Sequence, residues 1–177
     1  ALEREYVDVG LLNNIEDYYA IASLSKPDQV SGYESLSSSN YSITVIPGTE
    51  VQSDVGTIAV VPNPYRGDEY YQNFNPAWEK PSGGISLNDV NNNYEATWLE
   101  QDRRIQFINV PSPSRIVIYT LSGDVVRTLS HNDDQRGYLD WNLTSSVGQT
   151  IASGIYLFTA ESKTTGNIQV GKFVVVK

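Results

Sequence analysis

The sequence contains no cysteine and a single histidine, His131. Without thiols neither a disulfide framework nor a thiolate metal site can form, so the fold must be held by a packed core and its redox compartment cannot be read from bridges. Basic residues are also scarce: 12 Lys and Arg face 21 Asp and Glu, a formal charge of -9. Such a surface repels a phosphate backbone and gains nothing from anionic lipid, which argues against nucleic acid as a partner. No apolar run approaches the roughly 20 residues of a membrane helix, so no membrane span is expected. The first residues show neither a charged n-region nor an apolar h-region, and the chain is read as a mature product or a fragment.

Helical periodicity is almost missing. In its place, period-two and β-branched runs bounded by Gly, Pro, Asn and Asp recur throughout. Strands are expected at 4–9, 17–24, 40–46, 57–61, 94–99, 104–110, 115–121, 124–130, 138–143, 154–162 and 168–176. The stretch "PGTEVQSDVG" (47–56) has little to bury and reads as a linker. In "IYTLSGDVVRTL" the "SG" pair predicts a two-residue hairpin loop. Pro111 and Pro113 in "VPSPSR" mark a rigid corner between strands, where the missing N–H groups interrupt no ladder. Twelve Tyr with many Ser, Thr and Asn and few Lys suit an extracellular or cell-surface β-protein.

Two resemblances follow from quoted residues. "VGLLNNIEDYYAIASL", with Leu12 six residues before Tyr18, and "YESLSSSNYSITVIPGT" resemble the last strands of a fibronectin type III domain, in which a Leu and a Tyr form the tyrosine corner; Tyr18 also fits as an ordinary core aromatic. A sandwich of that kind needs about seven strands, and only three precede the linker. Val7, Val9, Ile21, Leu24, Ile43 and Val45 are therefore expected to need cover from another polypeptide or from self-assembly. From residue 60 onward, "VVPNPYRG" (60–67), "RRIQFINVPSPSRIVIYTLSGDVVRTL" (103–129), "WNLTSSVGQTIASGIYLFTAES" (141–162) and "GKFVVVK" (171–177) resemble the C-terminal Ig-like module of many secreted bacterial proteins. That module is related to the Ig-like domain of the flagellar hook-capping protein and to the type IX secretion C-terminal sorting domain. The resemblance implies an Ig-like sandwich with Trp141 in its core, Gly148 at a turn and Gly154 opening a strand. It further implies secretion or surface machinery as a partner.

The fold expected is all-β: an Ig-like β-sandwich over 58–177, preceded by a partial fibronectin type III-like sandwich over 1–48 and a linker over 49–57. Residues 68–103 depart from the resemblance as a long polar insertion, a length at which loops are often functional.

Catalytic chemistry finds little support. His131 with "NDD" after it can be drawn as an acid–base pair, but adjacent residues in a polar loop rarely converge on one atom, and a solvated hairpin loop is the preferred reading. No Gly-rich phosphate loop, His-Glu-x-x-His or nucleophile elbow occurs. No enzyme activity and no cofactor are expected. Calcium is the one cation considered, at Asn132, Asp133 and Asp134 or at Asn88, Asp89 and Asn91–Asn93, because these offer hard oxygen ligands. The Asp-x-Asp-x-Asp-Gly spacing is missing, and turn stabilisation explains the same residues. Binding of carbohydrate or protein is the competing hypothesis. It rests on Tyr70, Tyr71, Trp78 and Trp98, with Tyr65, Phe74 and Tyr94 nearby, as aromatic platforms; a role as core or loop anchors is the preferred reading for most of them. The function expected is that of a non-catalytic C-terminal portion of a larger secreted protein, in export and surface attachment or as a structural assembly module.

Overall fold

A computed structural model describes residues 7–12, 17–27, 30, 32, 37–39, 41–71, 78–79 and 102–177, together with the backbone of 85–87 and 94–96. The chain divides into two compact units, Ala1–Pro47 and Gly48–Lys177. The described secondary structure is all-β.

In the first unit, β1 (Asp17–Ile21) pairs antiparallel with β2 (Tyr41–Val45). Directly opposed residues share a face of a sheet, and neighbours along a strand alternate. The register Tyr19↔Ile43, Ile21↔Tyr41 and Asp17↔Val45 therefore gathers Tyr19, Ile21, Tyr41, Ile43 and Val45 on one side, with Tyr18, Ala20, Ser42 and Thr44 on the other. The apolar side is open: Ile21 is 72% and Tyr41 73% exposed. Tyr18, the tyrosine-corner candidate, is also exposed. Of the strand expected at 4–9, Val7–Val9 are described and form none; residues 1–6 lie outside the described residues.

The second unit is a β-sandwich. One sheet has the order β10 (Tyr138–Trp141), β7 (Ile105–Ile108), β3 (Ala59–Val61). The other runs β4 (Tyr65–Arg66), β12 (Ile168–Val176), β11 (Gly154–Ser162), β8 (Ser114–Thr120), β9 (Val125–His131). All pairings are antiparallel except β4 with β12. Pro62 and Pro64 fill the step from β3 to β4, where the chain leaves one sheet for the other. Proline donates no ladder bond, so it suits a segment that must abandon one sheet before joining the next. A separate hairpin pairs β5 (Ile85–Leu87) with β6 (Tyr94–Ala96) inside the insertion.

Alternation supplies the core. Tyr156, Phe158 and Ala160 from β11, Phe173 and Val175 from β12 and Ile116 and Ile118 from β8 meet Val60, Ile105, Phe107 and Trp141 from the smaller sheet. Aromatic rings span the gap: Phe107 lies edge-on to Phe158 at 5.3 Å and to Phe173 at 6.1 Å, and Trp141 edge-on to Phe173 at 6.1 Å. Edge-to-face packing lets ring edges meet the negative faces of their neighbours while burying large apolar area.

Three local readings change. The β8–β9 loop is not a two-residue turn. Gly123 N–H donates to Thr120 O at 3.0 Å and Thr120 N–H to Asp124 O at 2.9 Å, leaving three loop residues with Gly123 at φ 96°. This is a three-residue hairpin closed by a left-handed glycine. His131 is not in a solvated loop: it ends β9, is buried, and sits in one row with Ser114 and Ser162 across three strands. Alternation from Leu129 carries one step further than the polar "HNDD" suggests. Residues 49–57, read from composition as a linker, are tied to the sandwich: Gly137 N–H donates to Thr49 O at 2.7 Å, Thr49 Oγ1 donates to Gly137 O at 2.8 Å, and Asp54 accepts from Thr165 Oγ1 and Asn167 Nδ2. Side chains of low hydrophobicity can still order a segment when their partners lie far away in sequence.

The open edge of β12 is also managed. Gln169 exchanges two side-chain hydrogen bonds with the Ile58 backbone, 2.8 and 3.1 Å, and Asn63 Oδ1 accepts from Val174 N–H. These side chains occupy positions an incoming strand would use.

Two substitutions test this frame. Phe107→Ala is expected to lower unfolding free energy by about 3–5 kcal/mol in urea titration, as for other buried aromatics. Gly137→Ala drives a Cβ into the carbonyls of Glu50 and Thr49. It is expected to cost about 1–3 kcal/mol and to expose 49–57 to protease; an unchanged digestion pattern would show that the strap is not held there.

Candidate functional site

The insertion grows from the end of β4, and its foot is built of residues that turn inward. Tyr71 is buried, its ring 5.2 Å from that of Tyr65, and its Oη accepts the Arg66 N–H at 3.1 Å. Trp78 is half-buried; its Nε1–H donates to Arg104 O at 2.9 Å, and the Arg104 guanidinium lies 4.4 Å above its ring. Tyr70 is exposed, and Trp98 lies outside the described residues. The expected platform thus separates: Tyr71 serves the core, Trp78 has one face taken by a cation, and Tyr70 remains at the surface.

Beneath these rings is a buried polar cluster. Tyr65 Oη–H donates to Glu79 Oε1 at 2.6 Å, and the same oxygen accepts the Arg104 N–H at 3.2 Å. Arg103 Nη1 donates to Tyr65 Oη at 3.3 Å and to Gly67 O at 3.4 Å. Glu79 and Tyr65 are both buried. A buried carboxylate is tolerated only when donors reach it, and here two do. Burial, and then the Glu79 hydrogen bond, push the Tyr65 phenol well above the ordinary tyrosine range, with the Arg103 hydrogen bond opposing.

Beside the cluster, a cleft of about 340 Å³ runs between β9 and β10, the edge strands of the two sheets. Arg103, Arg104 and Arg127 line it with Asp102, Asp140 and Asn142. Arg104 Nη1 pairs with Asp140 Oδ2 at 3.1 Å, Gln106 Nε2 donates to Asp140 Oδ1 at 2.8 Å, and Arg127 Nη1 donates to Ser145 O at 2.8 Å. Arg104 Nε is buried with no acceptor among the described residues. Glu79, Arg104, Arg127 and Asp140 were not singled out from sequence. Their only local signal is the Arg103–Arg104 pair before an alternating run, because the cluster joins positions up to about 60 residues apart.

The calcium candidates do other work or fall outside view. Asp133 Oδ1 accepts the N–H groups of Gln135 and Arg136 at 2.9 and 3.2 Å, which holds its carboxyl below the usual range, and Arg136 pairs with it at 3.5 Å. That is an Asx turn. Asp134 is exposed beside it, and Asp89 lies outside the described residues. Among the described residues no three His, Cys, Asp or Glu side chains gather as a metal-binding group.

No family model and no curated protein matches the chain. Among solved structures, it is similar to PorZ, described as an essential bacterial surface component of the type-IX secretion system of Porphyromonas gingivalis: TM-score 0.42, 13% identity, 68% of this chain and 11% of that one. It is also similar to dimeric latent PorU of Porphyromonas gingivalis: TM-score 0.39, 18% identity, 93% of this chain and 12% of that one. The chain thus spans about a tenth of the length of either protein.

The buried cluster makes a pH prediction. A phenol with a raised folded-state pKa contributes stability that is fully present below the unfolded tyrosine value, near 10, and is lost as pH rises through the folded value. Thermal melts are expected to hold level from about pH 7 to 9 and to fall above about 10. Tyr65→Phe, which strips Glu79 of a donor, is expected to cost about 1–3 kcal/mol at neutral pH; an unchanged denaturation midpoint would mean that Glu79 does not depend on Tyr65.

Proposed function

We propose that this chain is a non-catalytic part of a secreted or cell-surface bacterial protein, acting in export and surface attachment or as a structural assembly module. One observation carries the proposal: the residues of the resemblance occupy the defining positions of the sandwich. "PNP" makes the step between sheets, "LSG" the hairpin at the end of β8, "GIYLF" the start of β11, and "KFVVV" the end of β12. Trp141 is in the core and Gly148 has φ 78°, as the resemblance implies. The strand order β3-β7-β10 against β12-β11-β8-β9, with β4 crossing to the second sheet, supports the Ig-like reading. No helix among the described residues is long and apolar enough to cross a membrane.

A protein partner is part of the proposal. A two-stranded sheet is marginal in water, and the side bearing Ile21, Tyr41, Ile43 and Val45 is uncovered. Another polypeptide, or a second copy, completes it. A second reading, a carbohydrate- or protein-binding accessory module working through 68–103, is favoured by exposed Tyr70 and by the cleft at the foot of that insertion.

Export and partnership are tested separately. Fused behind a reporter in a bacterium with a functional type IX pathway, the full chain is expected to carry the reporter to the cell surface. Retention of a folded fusion inside the cell would overturn the attachment reading and favour structural assembly. Native mass spectrometry of the chain purified from its own source is expected to show a stoichiometric second polypeptide or a second copy; a lone monomer at all concentrations would overturn the partner.

A further inference from the structure

We propose that the cleft between β9 and β10 binds a sugar acid, with Arg104 and Arg127 on its carboxylate and Asp140 and Asn142 on its hydroxyl groups. In a chain of charge -9 an anion is held only where guanidinium groups are concentrated locally, and this cleft brings three together. Arg104 directly precedes β7 of the smaller sheet and Arg127 lies on β9 of the larger one, so a ligand between them reaches both sides of the sandwich. Arg104 is steadied by Asp140 and lies over Trp78, Arg127 is steadied by Ser145 O, and Arg103 is anchored on Tyr65 Oη and Gly67 O. A steadied planar fork matches a carboxylate.

The acceptors narrow the class. Asp140 and Asp102 stand among the arginines and would repel a polyanion or a phosphate cluster, whereas a ligand with one acidic group and several hydroxyls satisfies both signs. A cleft of about 340 Å³ is at the small end of ligand sites, which run from about 300 to 1,000 Å³, and suits one sugar ring. Leu129 and Trp141 give the ring an apolar wall. The inference does not rest on the attachment reading, and the two fail separately: this titration needs no partner and the export assay needs no sugar.

The test is a titration of the full chain with glucuronate, followed by NMR or calorimetry, with glucose, acetate and a Glu-rich peptide as comparisons. Saturable binding of glucuronate is expected, with glucose and acetate at least about tenfold weaker. Arg127→Gln is expected to weaken glucuronate about tenfold while the melting temperature holds. If that variant does not fold, Arg127→Lys, which keeps the charge but loses the fork, and Asn142→Ala on the facing wall carry the same expectation. Glucuronate that does not saturate, acetate or the peptide binding as tightly, or folded variants binding like the parent would each overturn the proposal.

Discussion

The second unit depends on aromatic contact across the gap between its sheets. Phe173 on β12 meets Phe107 and Trp141 from the smaller sheet and stacks on Tyr156 at 5.6 Å, while Phe107 also meets Phe158. With no disulfide available, this ring cluster links one sheet to the other. It also dictates where bulk is forbidden: Gly171 lies so close to the Phe158 ring that any Cβ there would collide with it. Close packing of this kind defines one register for β11 and β12, because a one-residue slip would turn Tyr156, Phe158 and Phe173 outward.

Around that apolar centre, polar side chains close the margins. Gln169 and Asn63 occupy the β12 edge, Asp54 ties the strap of 49–57 to the β11–β12 turn, and Glu79 anchors the foot of the insertion. Three of these bonds join a loop to a strand, Asp54 joins the strap to a turn, and all of them link residues distant in sequence. The insertion is thus rooted in the sandwich through Tyr65, Tyr71 and Trp78, and the same rooting brings Arg104 to the wall of the cleft. Structure and candidate site share one set of residues there.

Among the described residues of the first unit there is no comparable centre. Its two strands pair correctly by alternation, yet the apolar side they create is solvent-facing. A sandwich needs two faces, and five-residue strands forming one two-stranded sheet supply one. Among the described residues, the second unit has two sheets packed on each other, whereas the β1–β2 sheet leaves Ile21 and Tyr41 exposed.

Strand patterning was legible without coordinates. Residues 154–162 and 168–176 read correctly to the residue, because long alternating runs bounded by glycine or polar turns leave little choice of state. Trp141 in the core and Gly148 at a turn were expectations of the resemblance rather than of alternation, and the structure buries the one and gives the other a positive φ. Short strands were not legible: β4 and β5 have two and three residues, below any periodic signal. Nor was the burial of His131 and Glu79, since polarity does not say which side of a strand or loop will be covered; Tyr71 is buried as a large aromatic is expected to be. The cleft lay beyond local reading altogether. Arg104, Arg127 and Asp140 come from three segments, and only the packing of two sheets brings their side chains to one flank. Period and turn chemistry act between near neighbours and so are written in the chain; the convergence of charges depends on which strands become edges, and that is decided when the sheets close on each other.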